Sequence, residues 1–187
     1  MAWVQNIFRH AVFCVMLLLS GVVAQAQTLN TVAAHLKVNS IDLNWRVNVD
    51  STTVYEQAIE REALSEQGAQ LATKFAQMYN KNLQRFEVLE AYTLKADGRK
   101  ISVEKEGMQI QSGITSGGSA SSWPDAEIMQ ITFLDVQKGD RTGWRIRVTT
   151  HTPQLPGWAS LEEHLMPAAQ VDRFTATLEA PQSLNCR

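Results

Sequence analysis

The chain is short of the groups from which reactive sites are built. It holds two cysteines and four histidines in 187 residues. Cys14 lies inside the apolar N-terminal run Ala11 to Val23, so a chain cut after that run keeps only Cys186. A single thiol closes no intramolecular disulfide, and the fold must hold by packing alone. A cysteine nucleophile needs a histidine base and a third group to orient it. His151 and His164 lie upstream of Cys186 and only Arg187 follows it, which leaves no room for the usual downstream histidine and acid. His35, His151 and His164 have no second histidine or cysteine at the short spacing of a metal site. Glu162 and Glu163 adjoin His164, but adjacent residues on one element do not converge on a point. No catalytic, cofactor-binding or metal-binding residue is therefore expected, and the chain is expected not to be an enzyme.

An excess of one charge is missing too. Seventeen Lys and Arg stand against nineteen Asp and Glu, a formal net charge of −2, which gives no electrostatic drive toward nucleic acid or anionic lipid. Nor is there a hydrophobic run of the roughly 20 residues that a membrane-spanning helix needs. Ala11 to Val23 is shorter, follows the basic pair Arg9-His10, and leads to Ala24-Gln25-Ala26, the small-x-small pattern of a cleavage site. Residues 1–26 read as a signal peptide, which implies a periplasmic or secreted protein beginning at Gln27, with no stable membrane span after cleavage. Val12-Phe13 before Cys14 does not match a lipoprotein signal.

What the sequence does have is alternation. Ile41, Leu43, Trp45, Val47 and Val49 alternate with Asp42, Asn44, Arg46 and Asn48, the period of a strand with one dry face and one wet face. Trp144, Ile146 and Val148 repeat the pattern, as do Phe174, Ala176 and Leu178. Three half-buried strands predict antiparallel sheets. Further strands are expected at 54–60, 85–95, 100–103 and 127–136, rich in β-branched and aromatic residues. Ala96-Asp97-Gly98-Arg99 and Lys138-Gly139-Asp140 supply hairpin turns. Between Arg61 and Asn80, the residues Leu64, Gly68, Leu71, Phe75 and Met78 follow a helical spacing, while Phe75, Gln77 and Tyr79 also alternate as on a strand, so periodicity alone leaves both readings open. Gly113 to Ser122 is small and polar and reads as a surface loop. The expected architecture is all-β: one antiparallel β-sandwich-like domain over 31–180, with 181–187 a tail in which truncation is one reading.

Two residue sets merit weighing. The acid pairs Glu56 with Glu60 and Glu104 with Glu106 have the composition of a glycosidase dyad, but in a chain with nineteen acids they read as solvated faces and loop edges. The tryptophans divide by context. Trp45 and Trp144 fall on the apolar phase of strands and are expected in the core. Trp123 precedes Pro124 and Trp158 follows Leu155-Pro156-Gly157, which places both on loops and makes them the candidate ligand contacts, weighed against a plug for the end of a sandwich.

The run from Phe86-Glu87-Val88-Leu89-Glu90-Ala91-Tyr92 through Asp97-Gly98-Arg99-Lys100-Ile101-Ser102-Val103, with the later Trp123-Pro124-Asp125, Ile131-Thr132-Phe133-Leu134-Asp135-Val136 and Gly139-Asp140, resembles the uncharacterised all-β domain that lies N-terminal to transglutaminase-like cores in bacterial exported proteins. The likeness covers about residues 40–180. It implies an all-β module without catalytic residues of its own, partnered by a transglutaminase-like domain that carries a Cys-His-Asp triad, and it favours strand for Leu71 to Tyr79. Two functions follow as expectations. One is a non-catalytic accessory or interaction domain of the cell envelope; the alternative is a stand-alone glycan- or peptide-binding sandwich using Trp123, Trp158 and the Gly113 to Ser122 loop.

Overall fold

The computed structural model describes residues 35–112, 125–155, 157–159 and 170–182. The expected signal peptide with its cleavage site, the expected Gly113 to Ser122 loop, Trp123, His164 and Cys186 lie outside the described residues. Among the described residues, ten strands and one short helix follow in the order β1 (Leu36–Val47), β2 (Thr53–Ala63), α1 (Glu66–Ala72), β3 (Lys74–Asn80), β4 (Gln84–Leu94), β5 (Lys100–Ser102), a single 3-10 turn (Lys105–Gly107), β6 (Met108–Ser112), β7 (Ala126–Thr132), β8 (Arg141–Thr150), β9 (Gln170–Val171) and β10 (Phe174–Glu179). They build two packed sheets in a sandwich-like domain. The larger runs β10-β1-β2-β8-β4-β5, with β9 also against β1; the smaller runs β3-β7-β6.

Alternation decides which side chains meet between the sheets. Ile59, Trp144 and Ala91 share one rung of β2, β8 and β4, and Gln57, Ile146 and Val88 share the next. These apolar side chains face Phe75, Ile131 and Phe133 of the smaller sheet and its continuation. Ile131 and Ile146 are fully buried, and the Trp144 indole lies 4.5 Å from the Phe75 ring between centroids. Its Nε1 donates to Gln57 Oε1 at 3.1 Å, which satisfies the one polar atom the indole brings inside. Trp45 stacks on Tyr55 at 5.3 Å beside a second cluster of Val38, Ile41 and Leu43.

Arg61 ties the layers together. It extends from β2, and its Nη2 donates to the carbonyls of Ala72 at 3.0 Å and Lys74 at 2.7 Å, where α1 ends and β3 begins. Its Nε donates to Thr142 Oγ1, and the guanidinium lies 5.0 Å from the centroid of Trp144. Burial draws its pKa down to about 10.

Several expectations change. The stretch 61–80 is neither one helix nor one strand: β2 runs to Ala63, α1 occupies Glu66–Ala72, and β3 starts at Lys74, so the strand favoured over Leu71 to Tyr79 begins three residues late. The helical stripe expected there does not form a buried face. Leu64, Leu71 and Met78 are exposed, while Gly68, Ala69 and Ala72 are the buried side of α1. The small residues are required because the helix packs against backbone: a Cβ on Gly68 would come within 2.0 Å of the His35 carbonyl oxygen. The third alternating strand also departs from its reading. β9 and β10 pair with β1 in parallel, not antiparallel, and Phe174, Ala176 and Leu178 are exposed rather than dry. Val49 lies beyond the end of β1 and is exposed. The strand expected over 127–136 stops at Thr132, short of Asp135, whose φ of 50° breaks the extended course. β6 was not expected.

Candidate functional site

Two surfaces offer recesses among the described residues. The first is the outer face of the larger sheet, where strand register sets opposite charges side by side. Glu56, Arg147 and Glu87 form one rung of β2, β8 and β4, and Ala58, Arg145 and Glu90 form the next. The small side chain of Ala58 leaves a groove of about 520 Å³ reaching Asp42, Tyr92 and Arg173. Its acids are occupied. Arg147 Nη2 pairs with Glu56 at 2.6 Å, Arg173 with Asp42 at 2.8 Å, and Glu90 takes Lys100 at 2.5 Å and Arg145 at 3.4 Å. The hydrogen bond from Lys100 holds the Glu90 carboxyl below its ordinary range. Tyr92 donates to Glu60 at 3.0 Å, and burial followed by that hydrogen bond pushes its pKa up to about 12. The expected dyad candidates are thus tied into the sheet surface instead of facing each other across a cleft. Glu104 precedes the 3-10 turn and Glu106 lies within it, both exposed.

The second recess lies at one end of the sandwich. Three chain reversals gather there: the β1–β2 hairpin with Ser51, the β3–β4 turn with Asn80 and Leu83, and the segment that follows β8. They enclose a pocket of about 260 Å³ whose lining includes Trp158, Leu155 and Gln154. His151 N donates to Leu83 O at 3.0 Å and so fastens the segment to the β3–β4 turn. Trp158 is 70% exposed and Leu155 64%. Of the two expected ligand contacts, Trp158 therefore stands on a pocket rim rather than plugging the core, and Trp123 lies outside the described residues. The other lining side chains, Thr53, Thr150, Gln84 and Asn80, were not singled out in the sequence. Thr53, Thr150 and Gln84 are polar residues on the inward phase of strand ends and Asn80 closes β3 on its outward phase, a grouping readable only when the register of neighbouring strands is known.

Two histidines meet hydroxyls elsewhere among the described residues. His35 Nδ1 lies 2.7 Å from Ser65 Oγ, which also caps α1 by accepting from Gly68 N. His151 is exposed, with Nδ1 3.0 Å from Thr152 Oγ1. Among the described residues no group of three or more His, Cys, Asp or Glu is placed to hold a metal ion, and no helix is long and apolar enough to cross a membrane. A buried ion pair, Lys95 Nζ to Asp140 Oδ2 at 2.6 Å, closes a turn: Lys95 also reaches Asp135 O, and Asp140 accepts from Ala96 N and Gln137 N.

Comparison with known proteins places this arrangement. Residues 49–187 match the family described as Domain of Unknown Function with solved-structure structure, DUF3857. No curated protein matches the sequence. Among solved structures, a Parabacteroides distasonis protein, provisionally assigned as a protease, superposes with a TM-score of 0.61 at 14% identity, over 66% of this chain and 25% of that one. This chain thus spans about a quarter of that protein's length. The CBM3a-L domain from the scaffoldin CipA of Clostridium thermocellum aligns over 71% of this chain and 81% of its own, at 12% identity and a TM-score of 0.36. An M1 zinc metallopeptidase mutant from Deinococcus radiodurans aligns over 66% and 22%, at 13% identity and 0.32. The last two scores are too low to carry an argument, and the first concerns fold alone.

Proposed function

Since the chain belongs to the DUF3857 family, we propose that it is a non-catalytic interaction module of the bacterial cell envelope that serves a transglutaminase-like domain carrying its own triad. The observation that carries this reading is the pairing of its charged groups: the carboxylates of the outer groove meet cations or a phenol and are held in the sheet surface. The match to a quarter of a much longer protein supports a modular role. The surface of β10 supports it as well. Phe174 and Leu178 are 49% and 53% exposed, and β10 ends the larger sheet with no strand beyond it among the described residues. An apolar, unpaired edge is a surface that a second domain covers at a gain.

The reading is tested on the purified chain with casein and with a glutamine-donor peptide plus a fluorescent amine. Neither hydrolysis nor amine incorporation above buffer is expected. Turnover that disappears in His151→Ala or Cys186→Ala would overturn it. The reading frames flanking the gene give a second check: a triad-bearing domain in the same frame or beside it is expected.

A further inference from the structure

Apart from Gln57, the inward face of the larger sheet is apolar up to its last rung at the pocket end, while the opposite end carries Arg61, Thr142 and Thr93. Tyr55, Val148 and Phe86 share one rung; one step further out, the same phase carries Thr53, Thr150 and Gln84. A sandwich that closes its end against water is stabilised by apolar plugs there. Here hydroxyls and an amide line the recess instead. Among the described residues, none of those lining the pocket carries a formal charge, on a molecule whose neighbouring sheet face is a checkerboard of acids and bases. No hydrogen bond engages the side chains of Thr53 or Gln154 among the described residues; Gln84 Oε1 accepts from Asn80 N at 2.9 Å, and its Nε2 reaches Thr150 Oγ1 only at 3.4 Å. Ser51 completes the hairpin side at 3% exposure with φ at 66°, a left-handed conformation that its turn enforces through Ser51 N to Asn48 O and Asn48 N to Thr52 O.

These features select a ligand. The uncharged lining would leave a phosphate, carboxylate or ammonium without compensation. Side-chain hydroxyls and amides both donate and accept, which suits a ligand whose rim does the same. The exposed indole asks for an apolar face to lie against it. A pyranose ring has both parts: C–H groups on its face and hydroxyls around its edge. The 260 Å³ volume falls below the range of about 300–1,000 Å³ typical for drug-sized ligands, the scale of a single ring. An extended peptide would instead pair along a sheet edge through its backbone, and β8, at the pocket floor, is paired on both sides. We infer that the pocket beside Trp158 binds one ring of a neutral glycan, with the indole as platform and Thr53, Gln84, Asn80 and Gln154 as polar partners. This site is separate from the β10 surface and does not depend on the partner-domain reading.

Calorimetric titration of the full chain with tetrasaccharides of N-acetylglucosamine, glucose and mannose, and with tetraalanine as the peptide control, tests it. At least one saccharide is expected to bind with a Kd of about 1 mM or tighter, and Trp158→Ala to weaken it about tenfold or more. Gln154→Ala is expected to weaken it about threefold. Because Trp158 is mostly exposed, the variant should melt as the parent does. If it does not, Trp158→Phe, which keeps an aromatic face, must bind within about fivefold of the parent, and failure of that variant overturns the inference. Absence of binding by all three saccharides at about 10 mM, affinity unchanged in Trp158→Ala, or preference for tetraalanine would overturn it too.

Discussion

Arg61 is the residue on which the two sheets depend most. Three hydrogen bonds and an indole face surround a cation that has no carboxylate partner in those contacts. Replacement by Met leaves the buried carbonyls of Ala72 and Lys74 without that donor, and a loss of about 3 kcal/mol in urea unfolding is expected. Lys should rescue little, because an ammonium lacks the planar fork that spans these acceptors and stacks on Trp144. Asp140 carries the acid limit of stability. Burial opposes its charge, yet hydrogen bonds from Lys95 and from the amides of Gln137 and Ala96 outweigh burial and hold its pKa below 3.8. The folded state therefore binds this proton less readily than the unfolded state. The stabilisation is complete above pH 3.8 and lost as the pH falls below it toward the folded value. Asp140→Asn is expected to lower the neutral-pH melting temperature by about 10 °C and to flatten the melting curve's dependence on pH below 3.8. A variant that melts like the parent at neutral pH would show that the turn does not need the pair.

At the scale of elements, legibility followed the number of neighbours. β1 and β8 were readable because alternate side chains on each are buried, and Gly98 and Gly139 take the positive φ their turns require. Trp144 sits in the core as its phase implied. α1 was hidden because its buried side is Gly68, Ala69 and Ala72, residues without an apolar signature, while its larger side chains face solvent. The contact with the His35 carbonyl gives that side its meaning, and Gly68→Ala is expected to destabilise by about 2 kcal/mol despite Ala's better helix propensity. A neutral or stabilising effect in urea unfolding would mean that α1 moves freely on β1. The Trp158 pocket was half legible. The Leu-Pro-Gly-Trp context marked the tryptophan, whereas Thr53, Thr150 and Gln84 are far apart in sequence and meet only through the β2–β8–β4 register.

At the scale of the molecule, the charged outer face, the polar end pocket and the apolar β10 surface are three distinct regions of one β-sandwich. β10 is also where sequence and structure part most usefully. Its alternation is that of a half-buried strand, yet both of its faces are exposed among the described residues, which is the pattern of a surface whose partner is elsewhere. The most direct test of the proposed role is sedimentation velocity of the purified chain mixed with a transglutaminase-like domain from the same genome. A one-to-one complex is expected, with a Kd of about 10 µM or tighter, that weakens at least about tenfold in Phe174→Asp or Leu178→Asp. Two components that sediment independently at about 100 µM would contradict the interaction-module assignment.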